Sequence, residues 1–162
     1  MKRTHTLYMA HPFGDRFRLR EEEKKIERQT GLKLINPFYD VEGRTDVRRF
    51  DKIAKQKKLG DRTARHTWGL SMKSTTPKVV VERDLKTIRH TNGVLAFFTD
   101  KISVGTPMEV FYASRVLHHP VYLIIEDKAK MGHPWLVYLS TAVYSTVDEF
   151  IASINLARRK PK

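Results

Sequence analysis

The sequence predicts a single α/β domain built on a doubly wound, mostly parallel sheet with helices on both faces. The first observation behind this prediction is that short apolar runs alternate with stretches of helical character almost throughout the chain, a pattern typical of parallel sheets. The second is size, because 162 residues of which 40% are hydrophobic suffice for one core of ordinary dimensions. We therefore expect one domain over residues 1–162.

Five apolar runs predict the strands of this sheet. The clearest is "GVLAFF", which has the length of a strand and carries no charge. The run "LKLINPF" is interrupted by Asn36-Pro37, because proline cannot donate to the hydrogen bonds of a sheet. The predicted strands are residues 5–10, 32–38, 93–98, 121–125 and 142–145.

Capping residues predict where the first helices begin and end. Asp15 is suited to cap a helix that runs to about Thr30, where Gly31 provides a stop. Another helix is predicted from Lys78, although residues 79–81 would also suit the start of a strand. Both helices would return the chain to the sheet.

Two further helices begin with the pattern of a capping box, in which a hydroxyl side chain and a glutamate three residues later satisfy each other's backbone. Thr106, Pro107 and Glu109 have this form, with proline at the first helical position. Thr146 and Glu149 repeat it before the last helix. This pattern explains Glu109 without any chemistry.

The chain is strongly basic, with a formal net charge of +13 and a pI near 10.1. Between Arg44 and Lys78 there are eleven Lys or Arg against three Asp, and the chain ends in a second basic cluster at 158–162. We interpret 44–78 as an insertion in which a basic helix at 46–58 precedes a mobile polar loop. Such charge attracts polyanions or phosphorylated small molecules, although a solvated basic face is an equally good interpretation.

Several classes of protein are excluded by what the sequence lacks. The absence of cysteine excludes disulfides, thiolate nucleophiles and cysteine-bound metals. No apolar run approaches the roughly 20 residues of a spanning helix, and the N-terminal apolar stretch is too short for a secretory signal. We expect a soluble, cytoplasmic protein that does not enter a membrane.

No common ligand-binding motif is present, whether a Walker loop, a dinucleotide fingerprint or a zinc-protease helix. The seven histidines are scattered, and the adjacent pair His118-His119 would diverge on a helix. We therefore expect no metal and no organic cofactor.

Several polar residues are expected at one edge of the sheet. In doubly wound sheets ligands bind beyond the carboxyl ends of the strands, and Asp15, Asp84 and Glu109 lie in or near the loops found there. Chemistry at a sugar C1′ passes through an oxocarbenium-like state and needs a carboxylate on one face and a partner for the departing group. Glu109 and Asp84 suit these roles, although a cap and a solvated helix surface explain them equally well.

The segments "LYMAHPF", "INPF", "VVERDLKTIRHTNGVLAF" and "SVGTPMEVFYA" occur in the order of the motifs of the nucleoside 2-deoxyribosyltransferase family, which the chain resembles over roughly residues 5–126. The resemblance implies a flavodoxin-like fold and a homo-oligomer whose active sites share residues between subunits. It implies that Glu109 is the nucleophile, that Asp84 protonates or orients the departing base, and that Tyr8 holds Glu109 in place. The start of a helix would position the carboxylate and keep it ionised.

The resemblance also suggests residues that bind substrate, including the turn His11, Pro12 and Phe13 and the glycine Gly105. Where family members that act on free nucleosides have an Asp for the sugar 5′-hydroxyl, this chain has Ser103. Ser103 resembles the branch that hydrolyses nucleoside 5′-monophosphates, because a hydroxyl accepts a phosphate that an Asp would repel.

Three further side chains complete the predicted site. Arg16 or Arg18, just beyond the first turn, would add charge-assisted contacts to a phosphate. His133 lies near the position where the family places a residue donated by the neighbouring subunit, although an ordinary loop histidine explains it equally well.

Together these residues predict an enzyme that cleaves the N-glycosidic bond of nucleosides or their 5′-monophosphates, with the balance toward a monophosphate and water as acceptor. Transfer of deoxyribose between the bases of free nucleosides is the alternative. A second alternative is a non-catalytic nucleotide or nucleic-acid binder in which the 44–78 segment, with Phe50 and Trp68, grips a phosphate backbone.

Overall fold

The computed structural model describes residues 5–40 and 77–159, with the side chains of 77–79 excepted. Strands and helices alternate along these two stretches. Their bounds are β1 Thr6–Ala10, a 3₁₀ turn Phe13–Asp15, α1 Arg16–Thr30, β2 Lys33–Ile35, α2 Pro77–Arg89, β3 Val94–Phe98, α3 Gly105–Phe111 continued by a π-helical turn Tyr112–Val116, β4 Val121–Ile125, α4 Pro134–Leu139, β5 Ala142–Tyr144 and α5 Val147–Arg159.

The strands form one sheet in the order β2-β1-β3-β4-β5. Every strand pair in it is parallel, with Thr6 of β1 opposite Lys33 of β2 and Ala10 of β1 opposite Ala96 of β3. The order reverses between β1 and β3, which defines the point where doubly wound sheets bind ligands. The predicted fold class is confirmed.

Each strand sends alternate side chains into two cores, because the pleat points successive residues to opposite faces. On one face Tyr8 and Ala96 pack with Ile88 of α2 and Val110 of α3. On the other face the core is formed with α1 and α5 by Leu7, Met9, Leu95, Phe97, Leu19, Ile26 and Phe150. All five residues of β3 are buried, which is why its sequence is a continuous apolar run.

Several predicted boundaries differ from the observed ones. The second strand is only Lys33–Ile35, because Asn36 leaves the ladder before Pro37 and its side chain joins a buried hydrogen-bond network with Glu23. Residues 79–81 are helical, so the alternative strand there is wrong. The short helix α4, which was not predicted, begins with a proline in its first turn.

The predicted capping residues of α1 and α5 lie at the starts of these helices, but their hydrogen bonds differ from the predicted ones. Asp15 lies at the start of α1, but its Oδ2 accepts a 2.6 Å hydrogen bond from the Thr99 hydroxyl instead of capping the helix. At α5 the Glu149 amide donates to the Thr146 hydroxyl at 3.2 Å, while the Glu149 carboxylate accepts from the Ser145 amide at 2.7 Å. The last capping box therefore forms, displaced by one residue.

Some predictions fall outside the described residues. Most of the basic segment 44–78 does, including the predicted helix at 46–58, the loop that follows it, Phe50 and Trp68, and so does the end of the tail at 160–162. In the two described stretches, no helix combines the length and apolar character that crossing a membrane requires.

Candidate active site

The side chains of Tyr8 and Glu109 meet between β1 and α3. Alternation along β1 turns the fully buried Tyr8 toward the face that α2 and α3 cover. Its hydroxyl donates a hydrogen bond of 2.7 Å to Oε1 of Glu109. Glu109 itself is only partly buried, so this contact fixes the orientation of the carboxylate and leaves part of the side chain accessible.

The predicted capping box at Glu109 is wrong. Helix α3 begins at Gly105, and the amide of Thr106 donates to the Ser103 hydroxyl at 3.1 Å. The Thr106 hydroxyl is 2.8 Å from the same oxygen and is therefore engaged as well. Ser103 takes the place expected of Thr106, and the Glu109 carboxylate contacts Tyr8.

Helix α2 brings Asp84 to the same place together with Arg83, a residue that the sequence interpretation missed. Nε and Nη2 of Arg83 donate to Oδ1 of Asp84 at 3.0 and 2.8 Å. Both side chains are largely buried, with 12% and 14% of their surface exposed. We call Tyr8, Arg83, Asp84 and Glu109 the carboxylate cluster.

Burial dominates the titration of this cluster. It raises the pKa of Glu109 from 4.5 to about 7, while the Tyr8 hydrogen bond and the Arg83 charge lower that pKa and the Asp84 charge raises it. Burial also raises the pKa of Asp84, which the charge and hydrogen bonds of Arg83 lower. Desolvation therefore opposes the ionised form that the start of a helix was expected to favour.

Burial raises the pKa of Tyr8 well above 10, and the neighbouring carboxylates Glu109 and Asp84 raise it further. The Tyr8 hydroxyl therefore remains a hydrogen-bond donor at any physiological pH. A protonated donor beside Glu109 favours the ionised form of that carboxyl.

A second group of predicted residues lines a hollow of about 660 Å³ beside α3. Helix α3 presents Pro107, Met108 and Phe111 to this hollow, and Glu109 to the carboxylate cluster. We call this cavity the α3–α4 hollow. Its other lining residues are Pro12, Phe97, Phe98, Lys101, Ile102, Ser103, Thr106, Lys130, His133, Trp135, Leu136 and Leu139. The structure thus brings Ser103, Pro12 and His133 together, and among the described residues Tyr8, Asp84 and Glu109 do not line this hollow.

The two predicted arginines make other contacts. Arg18 forms a bidentate pair with Glu126 at 2.9 and 3.0 Å. The guanidinium of Arg16 lies over the rings of Phe13 and Phe17, at 3.9 and 4.3 Å from their centres, and Nη1 donates to the Phe13 carbonyl. Neither arginine is among the described residues that line the α3–α4 hollow.

His11 is buried beneath the predicted turn. Its Nε2 lies 3.3 Å from Oδ1 of Asn36, its ring packs edge-on against Phe38, and burial lowers its pKa. Among the described residues, neither His11 nor Phe13 lines the α3–α4 hollow, whereas Pro12 does. His11 thus ties the end of β1 to the end of β2.

Lys101 and Lys130 line the α3–α4 hollow beside Ser103, and the sequence interpretation missed both. Lys130 donates to the Thr99 carbonyl and pairs with Asp127 at 3.0 Å. Lys101 is half-exposed, with Asp100 at 3.6 Å. Their positions after β3 and β4 were a usable signal, because loops at the carboxyl ends of strands carry ligand contacts.

No group of three or more His, Asp or Glu side chains within 5–40 and 77–159 has the arrangement to hold a metal ion.

The strand order, the all-parallel sheet and the helices on both faces define a flavodoxin-like α/β fold. The chain is similar in structure to a 2-deoxyribosyltransferase from Bacillus psychrosaccharolyticus, with a TM-score of 0.60 and 16% identity over 92% of this chain and 95% of the other. A conserved protein from Enterococcus faecalis V583 gives a TM-score of 0.62 with 12% identity over 95% and 99%.

The CMP N-glycosidase BcmB of Clostridium botulinum gives a TM-score of 0.52 with 13% identity over 93% and 98% of the two chains. No family model and no curated protein matches the sequence. At these identities the three structures establish the shared fold, and they span nearly the whole of each chain.

Proposed function

We propose that the protein cleaves the N-glycosidic bond of a nucleoside 5′-monophosphate through a covalent glycosyl intermediate on Glu109, with water as the final acceptor. The observation that carries this proposal is the hydrogen bond from Tyr8 to Glu109, with Asp84 beside it. A buried tyrosine that holds one carboxylate next to a second one is more than a helix cap requires.

The reaction follows from these groups in two displacements. An Oε atom of Glu109 attacks C1′ as the C1′–N bond breaks, and the bonding electron pair leaves with the base. Asp84 contacts the departing base, and Tyr8 holds Glu109 in line. Water then attacks C1′ from the opposite face, the bond from C1′ to Glu109 breaks with its electron pair returning to the carboxylate, and the sugar keeps its configuration. The proton that the water loses goes to the departed base, so the products are the neutral base and the sugar with a hydroxyl at C1′.

A phosphorylated substrate is supported by the groups around Ser103. Its side chain is a hydroxyl, and Lys101 and Lys130 line the same hollow. An aspartate at position 103 would repel a phosphate dianion, whereas a hydroxyl and nearby ammonium groups attract it. Lys101 thus joins Ser103 and the backbone at Gly105 as a proposed phosphate contact, ahead of Arg18, whose guanidinium Glu126 already engages.

Two of the structural neighbours support this class of chemistry by their names, one as a 2-deoxyribosyltransferase and the other as a CMP N-glycosidase. The alternative for this chain is base exchange on free nucleosides, which uses the same covalent step with a second base in place of water. The choice depends on which acceptor is held above C1′.

We also propose that a second copy of the chain covers the α3–α4 face. Large apolar side chains are exposed along α3, α4 and the loops before them, and a soluble monomer rarely leaves so many together. Covering them would bring the partner's residues to the α3–α4 hollow, where His133 lies. These exposed side chains are Ile102, Val104, Met108, Phe111, Val116, Met131, Trp135, Val137 and Tyr138.

The decisive experiment incubates the protein with deoxynucleosides, ribonucleosides and their 5′-monophosphates, with and without an acceptor base, and follows products by chromatography. We expect base release from a monophosphate, and loss of turnover by several orders of magnitude in Glu109→Ala and Glu109→Gln. Trapping the sugar on Glu109 with a slow fluorinated substrate, located by mass spectrometry, tests the covalent step. Near-normal turnover in Glu109→Ala would leave the carboxylate with a structural role only.

A further inference from the structure

The pairing of Arg83 with Asp84 is unusual for neighbours on a helix. Side chains at successive positions of an α-helix point about 100° apart and do not normally face each other. Here the guanidinium turns back so that Nε and Nη2 both donate to Oδ1 of Asp84. An exposed ion pair contributes too little free energy to hold an arginine in this geometry. Both side chains are largely buried here, so the pair is more strongly held.

The two bonds converge on one carboxylate oxygen. Within the described residues no hydrogen bond is made to Oδ2 of Asp84, and 14% of the side chain stays exposed. Arg83 therefore fixes the plane of the carboxylate and leaves Oδ2 as the oxygen available to a ligand.

The charges around Glu109 give Arg83 a second effect. The groups that act on Glu109 are Tyr8 from β1 and Arg83 and Asp84 from α2. The Asp84 charge opposes the ionisation of Glu109. Arg83 is the positive group that acts on both of them, whereas Arg89, farther along the same helix, donates to the Tyr112 hydroxyl.

We propose that Arg83 is a positioning residue for the glycosidase reaction: it aims Oδ2 of Asp84 at the departing base and balances the charge of the second carboxylate beside Glu109. This inference rests on the proposed function. Of the two possible roles of Asp84, it favours the acceptor that orients the base, because two charged N–H donors favour the ionised carboxylate against the burial that raises its pKa.

The test compares Arg83→Met and Arg83→Lys with Arg89→Met, which removes a guanidinium from the same helix outside the carboxylate cluster. In Arg83→Met we expect kcat for base release to fall at least about tenfold and the acidic limb of kcat/KM to move up by roughly half a pH unit or more. Arg83→Lys keeps the charge but loses the two-donor fork, so its acidic limb stays near that of the parent while kcat falls. Arg89→Met leaves both quantities unchanged.

A second measurement does not require activity. Titration of Glu109 by carbon NMR, in protein labelled at the glutamate carboxyl, reports the charge effect directly, with Glu109→Gln to assign the signal. A higher pKa in Arg83→Met supports the charge balance assigned to Arg83 even if no substrate is turned over, in which case the proposed function fails and the role in orienting the base fails with it. An unchanged Glu109 pKa in a folded Arg83→Met, or an unchanged pH profile in an active one, overturns it.

Discussion

The hydroxyl of Tyr8 and the carboxylate of Glu109 are joined by a 2.7 Å hydrogen bond across 101 residues of sequence. The bond connects the central part of β1 to the first turns of α3, so it forms only when these two elements are packed together. Since burial holds the Tyr8 pKa well above 10, the hydroxyl keeps its proton and donates to Glu109 whenever that carboxyl is ionised. This fixed polarity sets how the site responds to pH.

Activity should rise with pH through about 7. The nucleophile must be ionised, and burial raises the pKa of Glu109 to about 7. Below that pH Glu109 is mostly protonated and cannot attack C1′. We expect kcat/KM for base release to fall about tenfold per pH unit on the acidic side, measured between pH 5 and 9 in buffers of constant ionic strength.

Tyr8→Phe should move this acidic limb to higher pH, because the lost hydrogen bond lowers the Glu109 pKa in the parent. The matched control is Tyr112→Phe, which removes the hydroxyl that accepts from Arg89 on the flank of the same helix. Equal shifts in the two variants would show that the Tyr8 bond does not govern the ionisation of Glu109.

Glu109→Gln should stabilise the protein above neutral pH while it abolishes turnover. With a pKa of 4.5 in the unfolded chain and about 7 in the folded one, the folded state binds more protons between these values, so stability falls as pH rises through this window. A glutamine at this position carries no charge, so the stability of the variant does not fall with pH for this reason. We expect the free energy of unfolding to increase by about 3 kcal/mol at pH 8 and by little at pH 4.

Thermal denaturation of the parent and the variant across this pH range measures the difference, with Asp148→Asn as a control for an exposed carboxylate. A stability gain that does not depend on pH would assign the effect to packing instead of ionisation.

The sheet could be predicted from the sequence because its signals are local. A continuous apolar run such as "VLAFF" is a strand buried on both faces, and the alternation of strands with helices defines their parallel order. The topology then places Asp84 and Glu109 on neighbouring helices over the same face. The short helix Pro134–Leu139 carries too few residues for its periodicity to be visible.

The site could be predicted only in part, because side chains choose partners that no spacing reveals. Arg18 pairs with Glu126, 108 residues away, and this pairing removes it from the expected phosphate site. Ser103 outcompetes Thr106 for the start of α3, which frees Glu109 for Tyr8. The expected cap was a reasonable local solution that tertiary contacts replaced.

Ser103→Asp should exchange the substrate preference of the enzyme. A carboxylate at position 103 repels a phosphate dianion and can accept a hydrogen bond from a free 5′-hydroxyl. We expect kcat/KM for the monophosphate to fall at least about 100-fold, and the ratio of free nucleoside to monophosphate turnover to rise. The measurement is base release from matched pairs of phosphorylated and free substrates.

Ser103→Ala serves as the control for loss of the hydroxyl and of its bonds to Thr106. If both variants lower turnover of phosphorylated and free substrates equally, Ser103 supports α3 and does not select the 5′ group.

A charge placed on the exposed apolar face should separate the proposed subunits. Val137 of α4 and Ile102 before α3 are 52% and 94% exposed, and an aspartate at either position would be desolvated in an interface. We expect Val137→Asp and Ile102→Asp to shift the protein to monomer in sedimentation and light scattering. Base release should fall in parallel in Val137→Asp, where the fall reflects loss of the partner because Val137 does not line the α3–α4 hollow. Leu156→Asp is the matched control, because Leu156 is 60% exposed on α5, which packs on the opposite face of the sheet. A protein that is monomeric before any substitution, and fully active, would show that each α3–α4 hollow works without a partner.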